Sequence, residues 1–77
     1  MDEDVERLLG ELPSKLEPFK DPENQTVREL FEAALAAIDA DVENSKDYKK
    51  WAERRIRIGQ INWDKFGDVY IQNRMMR

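Results

Sequence analysis

The sequence predicts an all-α fold, a small bundle of three to four helices formed by one domain over residues 1–77. Apolar residues in the stretch 26–44 recur at spacings of three and four, which places them on one face of a helix. The chain is 40% apolar and 39% charged, enough apolar content to fold and too much for a typical disordered tail. Its length is close to the limit at which a single hydrophobic core suffices. The expected helices cover about 2–10, 26–43, 46–58 and 63–73, with a proline-rich connection at 11–25.

The first helix is predicted over residues 2–10. Its first turn is acidic, which suits the positive end of a helix dipole, and Gly10 marks a C-terminal break. A thin apolar stripe consists of Val5, Leu8, Leu9 and Leu12. Residues 11–25 then hold three prolines and little periodicity, so we expect a turn-rich connection whose Leu16 and Phe19 pack against the core.

The second helix, over residues 26–43, has the clearest pattern in the chain. Thr26 and Glu29 have the spacing of a capping box, in which each side chain bonds a backbone N–H at the helix start. The apolar face comprises Val27, Leu30, Phe31, Ala34, Leu35, Ile38 and Val42. Ala36 and Ala40 favour helix formation, and their small side chains also offer a second face that another helix can approach closely.

The third helix is predicted over residues 46–58, after a break at Asn44 and Ser45. Ser45 is a preferred N-cap residue, and Gly59 closes the helix. The apolar face of this helix comprises Tyr48, Trp51, Ala52 and Ile56.

The fourth helix is predicted over residues 63–73, with Asn62 as its N-cap. Its apolar face comprises Trp63, Phe66, Val69 and Tyr70. Gly67 lies inside it and costs about 0.5–1 kcal/mol relative to alanine. We therefore expect either fraying at Gly67 or the close approach of another group.

One interhelical ion pair is predicted, between Asp41 and Arg55. Each residue falls near the edge of the apolar face of its helix, and a hairpin closed at residues 44–45 brings the two within reach. Removing one partner of a buried pair costs about 3–5 kcal/mol, whereas an exposed pair contributes about 0–1 kcal/mol. We expect a partly buried, structural pair.

Charge is distributed unevenly along the chain, whose net charge is −4. Residues 1–48 carry 14 acidic and 5 basic side chains, whereas residues 49–77 carry 3 acidic and 8 basic ones. Such asymmetry indicates either a polar interaction surface or an attraction between the two halves. Because the halves of so small a domain must touch, we favour the attraction.

Catalytic chemistry finds little support in the composition. The chain has neither histidine nor cysteine, which excludes conventional zinc sites and nucleophiles paired with histidine. Asp39, Asp41 and Glu43 have the spacing that opens a calcium-binding EF-hand loop, but Asn44 replaces the required glycine and Lys50 the bidentate glutamate. No glycine-rich phosphate loop is present. We expect no enzyme, no cofactor, no metal site and no small-molecule substrate.

Nucleic-acid binding is the first alternative function. Lys50, Arg54 and Arg57 share one face within the basic segment 49–57, and phosphate binding requires clustered positive charge. Glu53 lies in the middle of this face and the sequence pI is about 4.8, so an acidic surface on a protein partner is the preferred interpretation.

We expect a non-catalytic accessory or structural subunit that binds a larger protein assembly through a helical surface. Tryptophan, tyrosine and arginine are enriched at interface hot spots, and methionine forms adaptable contacts. The predicted contact residues are therefore Trp51, Arg54, Arg57, Tyr70, Met75 and Met76. A self-assembling homo-oligomer is the second alternative. The partner is expected to be a protein or a second copy of this chain.

A cytoplasmic location, or one within a virion or large assembly, fits an acidic start and no apolar run near the roughly 18 residues of a membrane span. The stretch from Asp21 to Glu43 resembles helices in tailed-phage baseplate proteins, where an LP segment and a D-P turn precede a long helix rich in Leu, Ala and Asp. This resemblance covers under a third of the chain, implies a viral structural component and carries no functional residue across.

Overall fold

The computed structural model describes residues 2–75, and these residues form three helices. They are α1 (Asp2–Leu16), α2 (Gln25–Ser45) and α3 (Tyr48–Met75). The prediction of an all-α fold is confirmed, and the three helices lie within the expected three to four. The molecule is elongated, with extents of 44 × 22 × 17 Å. Its long axis matches α3, since 28 residues of α-helix span about 42 Å.

Helix α1 is longer than its predicted range of 2–10. It continues through Gly10 and Pro13 to Leu16, so the connection begins only at residue 17. Burial explains the extension, because Leu12 and Leu16 are fully covered and burying a leucine stabilises by about 1.5–3 kcal/mol. Two such gains offset the cost of about 3 kcal/mol for a proline inside a helix.

A short connection over residues 17–24 joins α1 to α2. The backbone N–H of Phe19 donates to the carbonyl of Leu16 at 3.0 Å, and the Phe19 side chain packs against the core as predicted. The side chain of Asp21 accepts from the N–H of Glu23 at 2.9 Å, which forms a local turn.

Helix α2 begins one residue before its predicted start and has a different cap. The side chain of Asn24 accepts from the N–H of Thr26 at 2.9 Å, so Asn24 is the N-cap in place of Thr26. Glu29 instead accepts from the side-chain amide of Gln25 at 2.9 Å. The helix ends at Ser45. Lys46, its C-cap residue, adopts a left-handed conformation with φ of 60° and donates its N–H to the carbonyl of Val42.

Helix α3 is continuous from Tyr48, so the two predicted helices 46–58 and 63–73 are one. Ser45 does not cap it; the side chain of Asp47 does, by accepting from the N–H of Lys50 at 3.0 Å. Gly59 does not end it either. A glycine costs about 1 kcal/mol inside a helix, and the burial of the adjacent Ile58 outweighs that cost.

The core lies along α2, which packs against both other helices, while α1 and α3 share the smallest contact. The core comprises Val5, Leu9, Leu12, Leu16, Val27, Ala34, Ile38, Ile58 and Phe66. Of the five aromatic residues after residue 47, Phe66 alone is fully buried. The concentration of aromatic residues in α3 therefore does not mark the centre of the core.

Candidate functional site

The basic face of α3 points at the acidic start of α1. Lys50 and Arg54 are one helical turn apart on α3, Asp2 and Glu6 are one turn apart on α1, and such spacings put side chains on the same face. Six residues from the three helices form what we call the charge cluster: Asp2, Glu6, Asp41, Lys50, Arg54 and Arg57. The attraction expected between the acidic and basic halves is thus seen at this cluster.

Arg54 is the centre of the charge cluster. Its side chain is only 4% exposed, yet it has an acidic partner on each of the other two helices. Its Nε donates to Glu6 at 3.0 Å and its Nη1 to Asp41 at 2.9 Å. Its Nη2 contacts the Asp2 carboxylate and also the Asp2 carbonyl. The planar fork of donors in a guanidinium suits this role, because it serves several oxygens in fixed directions.

Two exposed cations complete the rim of the cluster. Lys50 Nζ lies 3.3 Å from Asp2, and Arg57 Nη1 lies 3.2 Å from Glu6. Hydrogen bonds from Arg54 and then from Lys50 hold the pKa of the Asp2 carboxyl below its usual value of 3.8. Burial of Arg54 opposes its charge, but the hydrogen bonds to Asp2 and Glu6 prevail and raise its pKa. Both shifts favour the charged forms of Asp2 and Arg54, so the contact between them is an ion pair at neutral pH.

The predicted pair between Asp41 and Arg55 is wrong by one residue. Asp41 is the acceptor for Arg54, whereas Arg55 binds Asp39 at 3.0 Å. Neighbouring residues on a helix differ by about 100° in direction. Arg54 points toward the junction of the three helices, and Arg55 points toward α2 at the surface. Asp41 does form a partly buried interhelical pair, with 11% of its side chain exposed, and its contribution to stability stays a prediction.

Trp51, a predicted contact residue, is held against α2. It is partly buried against the core, and its indole N–H donates to Asp39 at 2.8 Å. The guanidinium of Arg55 lies over the indole ring, 5.4 Å from its centroid. Asp39 thus binds both Trp51 and Arg55. Trp51 therefore contributes to the packing of α2 against α3, although part of its side chain remains exposed.

Five large apolar side chains are exposed on α3. Tyr48, at 63% exposure, is the first residue of the helix, and the other four lie on or beside the face turned away from the core. We call these four the outer stripe; their exposed fractions are Ile56 72%, Trp63 53%, Tyr70 36% and Ile71 45%. Ile56, Trp63 and Tyr70 are spaced by seven residues, and two turns of helix keep such residues on nearly the same side.

Half of the residues predicted on the apolar faces of the third and fourth helices are exposed instead: Tyr48, Ile56, Trp63 and Tyr70. The spacing of seven residues from Ile56 to Trp63 to Tyr70 indicates that these side chains share one side of a helix. That inference holds only if the helix is continuous across Gly59. The predicted break at Gly59 places Ile56 and Trp63 on separate helices, so the sequence pattern does not predict the outer stripe.

The remaining predicted contact residues fall into three groups. Arg54 and Arg57 belong to the charge cluster. Tyr70 lies on the outer stripe, and its hydroxyl donates to the side-chain oxygen of Asn62 at 3.2 Å, so Asn62 is a partner within α3 and not an N-cap. Met75 is the last residue of α3; its side chain and the whole of Met76 lie outside the described part of the chain, and their contact role stays a prediction.

The described region, residues 2–75, contains no cluster of three or more acidic side chains placed to hold a metal ion. None of the three helices is long and apolar enough to cross a membrane. No family model, curated protein or solved structure matches this chain.

Proposed function

We propose that the protein is a non-catalytic binding module, an accessory or structural subunit that docks onto a protein partner through the outer stripe of α3. The observation that carries this proposal is the line of large apolar side chains on the side of α3 remote from the core, led by Ile56 at 72% exposure and Trp63 at 53%. Single exposed apolar residues are ordinary, but a contiguous apolar patch on a small protein often marks an interaction site.

The chemistry of the stripe suits a protein partner. Tryptophan and tyrosine bring large contact areas at low conformational-entropy cost and are enriched among interface hot spots. The indole of Trp63 is already positioned, because its ring covers Gly67 on the same helix: a Cβ atom at residue 67 would lie 3.1 Å from the ring. The anchor is thus partly ordered before any partner arrives, which lowers the entropic cost of binding.

The helix that carries the stripe is tied to the rest of the bundle at two places. Arg54 ties the first half of α3 to α1 and α2, and Lys65 Nζ donates to the carbonyl of Glu17 at the end of α1, at 3.1 Å. Contacts on the inner side of α3 therefore attach the helix to α1 and α2, while its outer side stays open to a partner.

The basic face of α3 lends no weight to nucleic-acid binding. Each of its three cations, Lys50, Arg54 and Arg57, already contacts a carboxylate of α1. Phosphate contact by these residues requires breaking those pairs, and Asp2 and Glu6 would repel the approaching phosphates. Because these cations are already paired within the chain, they also offer less attraction to an acidic patch on a protein partner.

Photo-crosslinking in the source cells tests the proposal directly. A photoreactive residue placed at Ile56 is expected to give adducts of discrete mass with a protein. Ala36 is the matched control, because it is an exposed residue of α2 and belongs to the alternative alanine face. No adduct at position 56, or equal adducts at both positions, would overturn the proposal.

A further inference from the structure

We infer that the partner bound by the outer stripe is a second copy of this chain, packed with the two α3 helices antiparallel about a two-fold axis at Trp63. This inference rests on the proposed function, since it names the occupant of the same surface. It follows from a symmetry in the positions of residues along α3.

Three of the four residues of the outer stripe are placed symmetrically about Trp63; Ile71 is the exception. Ile56 lies seven residues before it and Tyr70 seven residues after it. In an antiparallel pair centred on Trp63, Ile56 meets the partner's Tyr70, and Trp63 meets the partner's Trp63. A two-fold interface uses the same patch on both copies, so this self-complementarity is what such a dimer requires.

The two glycines of α3 obey the same symmetry. Gly59 and Gly67 lie four residues on either side of Trp63, so that Gly59 faces the partner's Gly67. A Cβ atom at Gly59 would meet nothing within 4 Å, whereas one at Gly67 would meet the Trp63 ring. The bare backbone at Gly59 therefore leaves room for the indole that stands over the partner's Gly67. A large side chain opposite a glycine gives the interlocking contact that closely packed helices need.

Charges flanking the stripe favour the antiparallel direction. Glu53 lies ten residues before Trp63 and Arg74 lies eleven residues after it, and both are exposed. An antiparallel pair brings Glu53 beside the partner's Arg74, twice per dimer. A parallel pair would place Glu53 level with the partner's Glu53, and like charges at the same level repel. Charge complementarity of this kind fixes the orientation of partners more than it raises affinity.

The size of the stripe predicts a weak dimer. Aromatic side chains bury roughly 150–250 Å² each when fully covered. With the two isoleucines taken at the lower end of that range, the exposed parts of the four residues amount to about 400 Å² per copy. The pair would bury about 800 Å² of apolar surface, below the roughly 1,200 Å² of a standard stable interface. We expect dissociation constants in the micromolar range or weaker, and hence a monomer–dimer equilibrium within reach of ordinary sedimentation experiments.

Sedimentation equilibrium between about 10 μM and 1 mM is the first test. The expected result is a reversible dimer that Ile56→Ser weakens by at least about tenfold, with the helical circular dichroism unchanged because Ile56 is 72% exposed. Glu53→Lys and Arg74→Glu should each weaken the dimer, and the double variant should restore it. A strictly monomeric chain at 1 mM, or a dimer indifferent to Ile56→Ser, overturns the inference.

Disulfide cross-linking resolves the direction of the helices. The chain has no cysteine, so each introduced thiol is unique. A mixture of the Ile56→Cys and Tyr70→Cys proteins should oxidise to the mixed disulfide well above either homodimer. Homodimers of the Ile56→Cys protein alone would mean parallel helices and overturn the proposed geometry.

The two proposals fail in distinguishable ways. If the chain stays monomeric at 1 mM while the photoreactive residue at Ile56 captures a protein of another mass, the second-copy inference falls and the binding-module proposal stands. If position 56 gives no adduct in cells and the chain is monomeric, both fall. An adduct of twice the mass of the chain, together with the sedimenting dimer, supports both.

Discussion

The two sides of α3 reverse the usual relation between polarity and exposure. On the inner side, Arg54 is nearly buried at 4% exposure and is surrounded by carboxylates. On the outer side, Ile56 is 72% exposed although it is wholly apolar. The charged side chain is a structural element, and the apolar one is available to a partner. Residue type alone therefore does not reveal which face of a helix holds the domain together; the available partners decide it.

The largest effect is expected from the inner side, on substituting Arg54. Arg54→Met keeps much of the side-chain volume but leaves Asp41 almost buried without its cation. Removing one partner of a buried pair costs about 3–5 kcal/mol, and because Asp2 and Glu6 are half exposed we expect about 3 kcal/mol. Urea denaturation followed by circular dichroism measures the loss.

Arg55→Met is the matched control for that substitution. It removes the neighbouring arginine, whose pair with Asp39 is exposed on both sides, and should cost less than about 1 kcal/mol. Equal losses for the two variants would show that Arg54 is no more structural than a surface arginine.

Two serine substitutions on α3 should give the next largest difference between its inner and outer sides. Ile58→Ser removes a residue that is 6% exposed, and truncating a buried isoleucine costs about 2–5 kcal/mol. Ile56→Ser, two residues earlier, should change the free energy of unfolding of the monomer by no more than about 0.5 kcal/mol. The comparison is made by denaturation at low protein concentration, where dimers are absent. A large loss for Ile56→Ser would mean that the outer stripe belongs to the folding core.

Lowering the pH should weaken the charge cluster on the inner side of α3 before it affects the outer stripe. The pKa of Asp2 is lowered in the folded protein, so its contribution is present in full above about pH 5 and is lost as the pH falls through its folded pKa. We expect the thermal midpoint to decline below about pH 4, with a smaller decline in Asp2→Asn. Ile56→Ser should keep the wild-type pH profile, because no titrating group of the charge cluster lies on the outer stripe. An unchanged slope in Asp2→Asn would mean that Asp2 does not contribute to the stability that acid removes.

The smallest expected effect separates stability from association at one residue. Gly59→Ala should raise the free energy of unfolding by about 0.5–1 kcal/mol, since alanine is the better helix former and its Cβ atom meets nothing. The same methyl group should weaken the dimer, because it occupies the space left for the partner's indole.

Gly10→Ala is the matched control for Gly59→Ala. It is also an exposed glycine inside a helix with open space around its Cβ position, but it lies on α1. It should stabilise equally and leave the dimer unchanged, as measured by thermal denaturation and sedimentation. If Gly59→Ala leaves association unchanged as well, the close contact at Gly59 is wrong.

Apolar periodicity correctly predicted which segments are helical. The helix-breaking residues led to wrong predictions of where the helices end. The apolar pattern of α2 predicted its range within two residues, because a long amphipathic stretch carries its own evidence. Gly10, Pro13 and Gly59 indicated breaks that do not occur, since local propensities cost about 1–3 kcal/mol and burial of neighbouring leucine and isoleucine side chains exceeds that. Burial is a tertiary property that no local window contains.

The charge cluster was predictable in kind and not in detail. The imbalance between residues 1–48 and 49–77 indicated attraction between the halves, and the structure contains that attraction. Choosing Arg54 over Arg55 as the partner of Asp41 required the rotation of α3 about its axis to better than 100°. That rotation is set by the packing of Ile58 and Phe66, which the sequence pattern split between two separate helices.

The two tryptophans provide an optical consequence of this arrangement. Trp51 is hydrogen-bonded at the α2–α3 interface, whereas Trp63 stands in solvent over Gly67. The emission of an indole shifts to the blue when water leaves its surroundings, so each chromophore reports a different event. In Trp63→Phe, the remaining fluorescence follows unfolding; in Trp51→Phe, it follows docking. The chain thus carries one intrinsic fluorescent probe for unfolding and another for docking, and neither requires an added label.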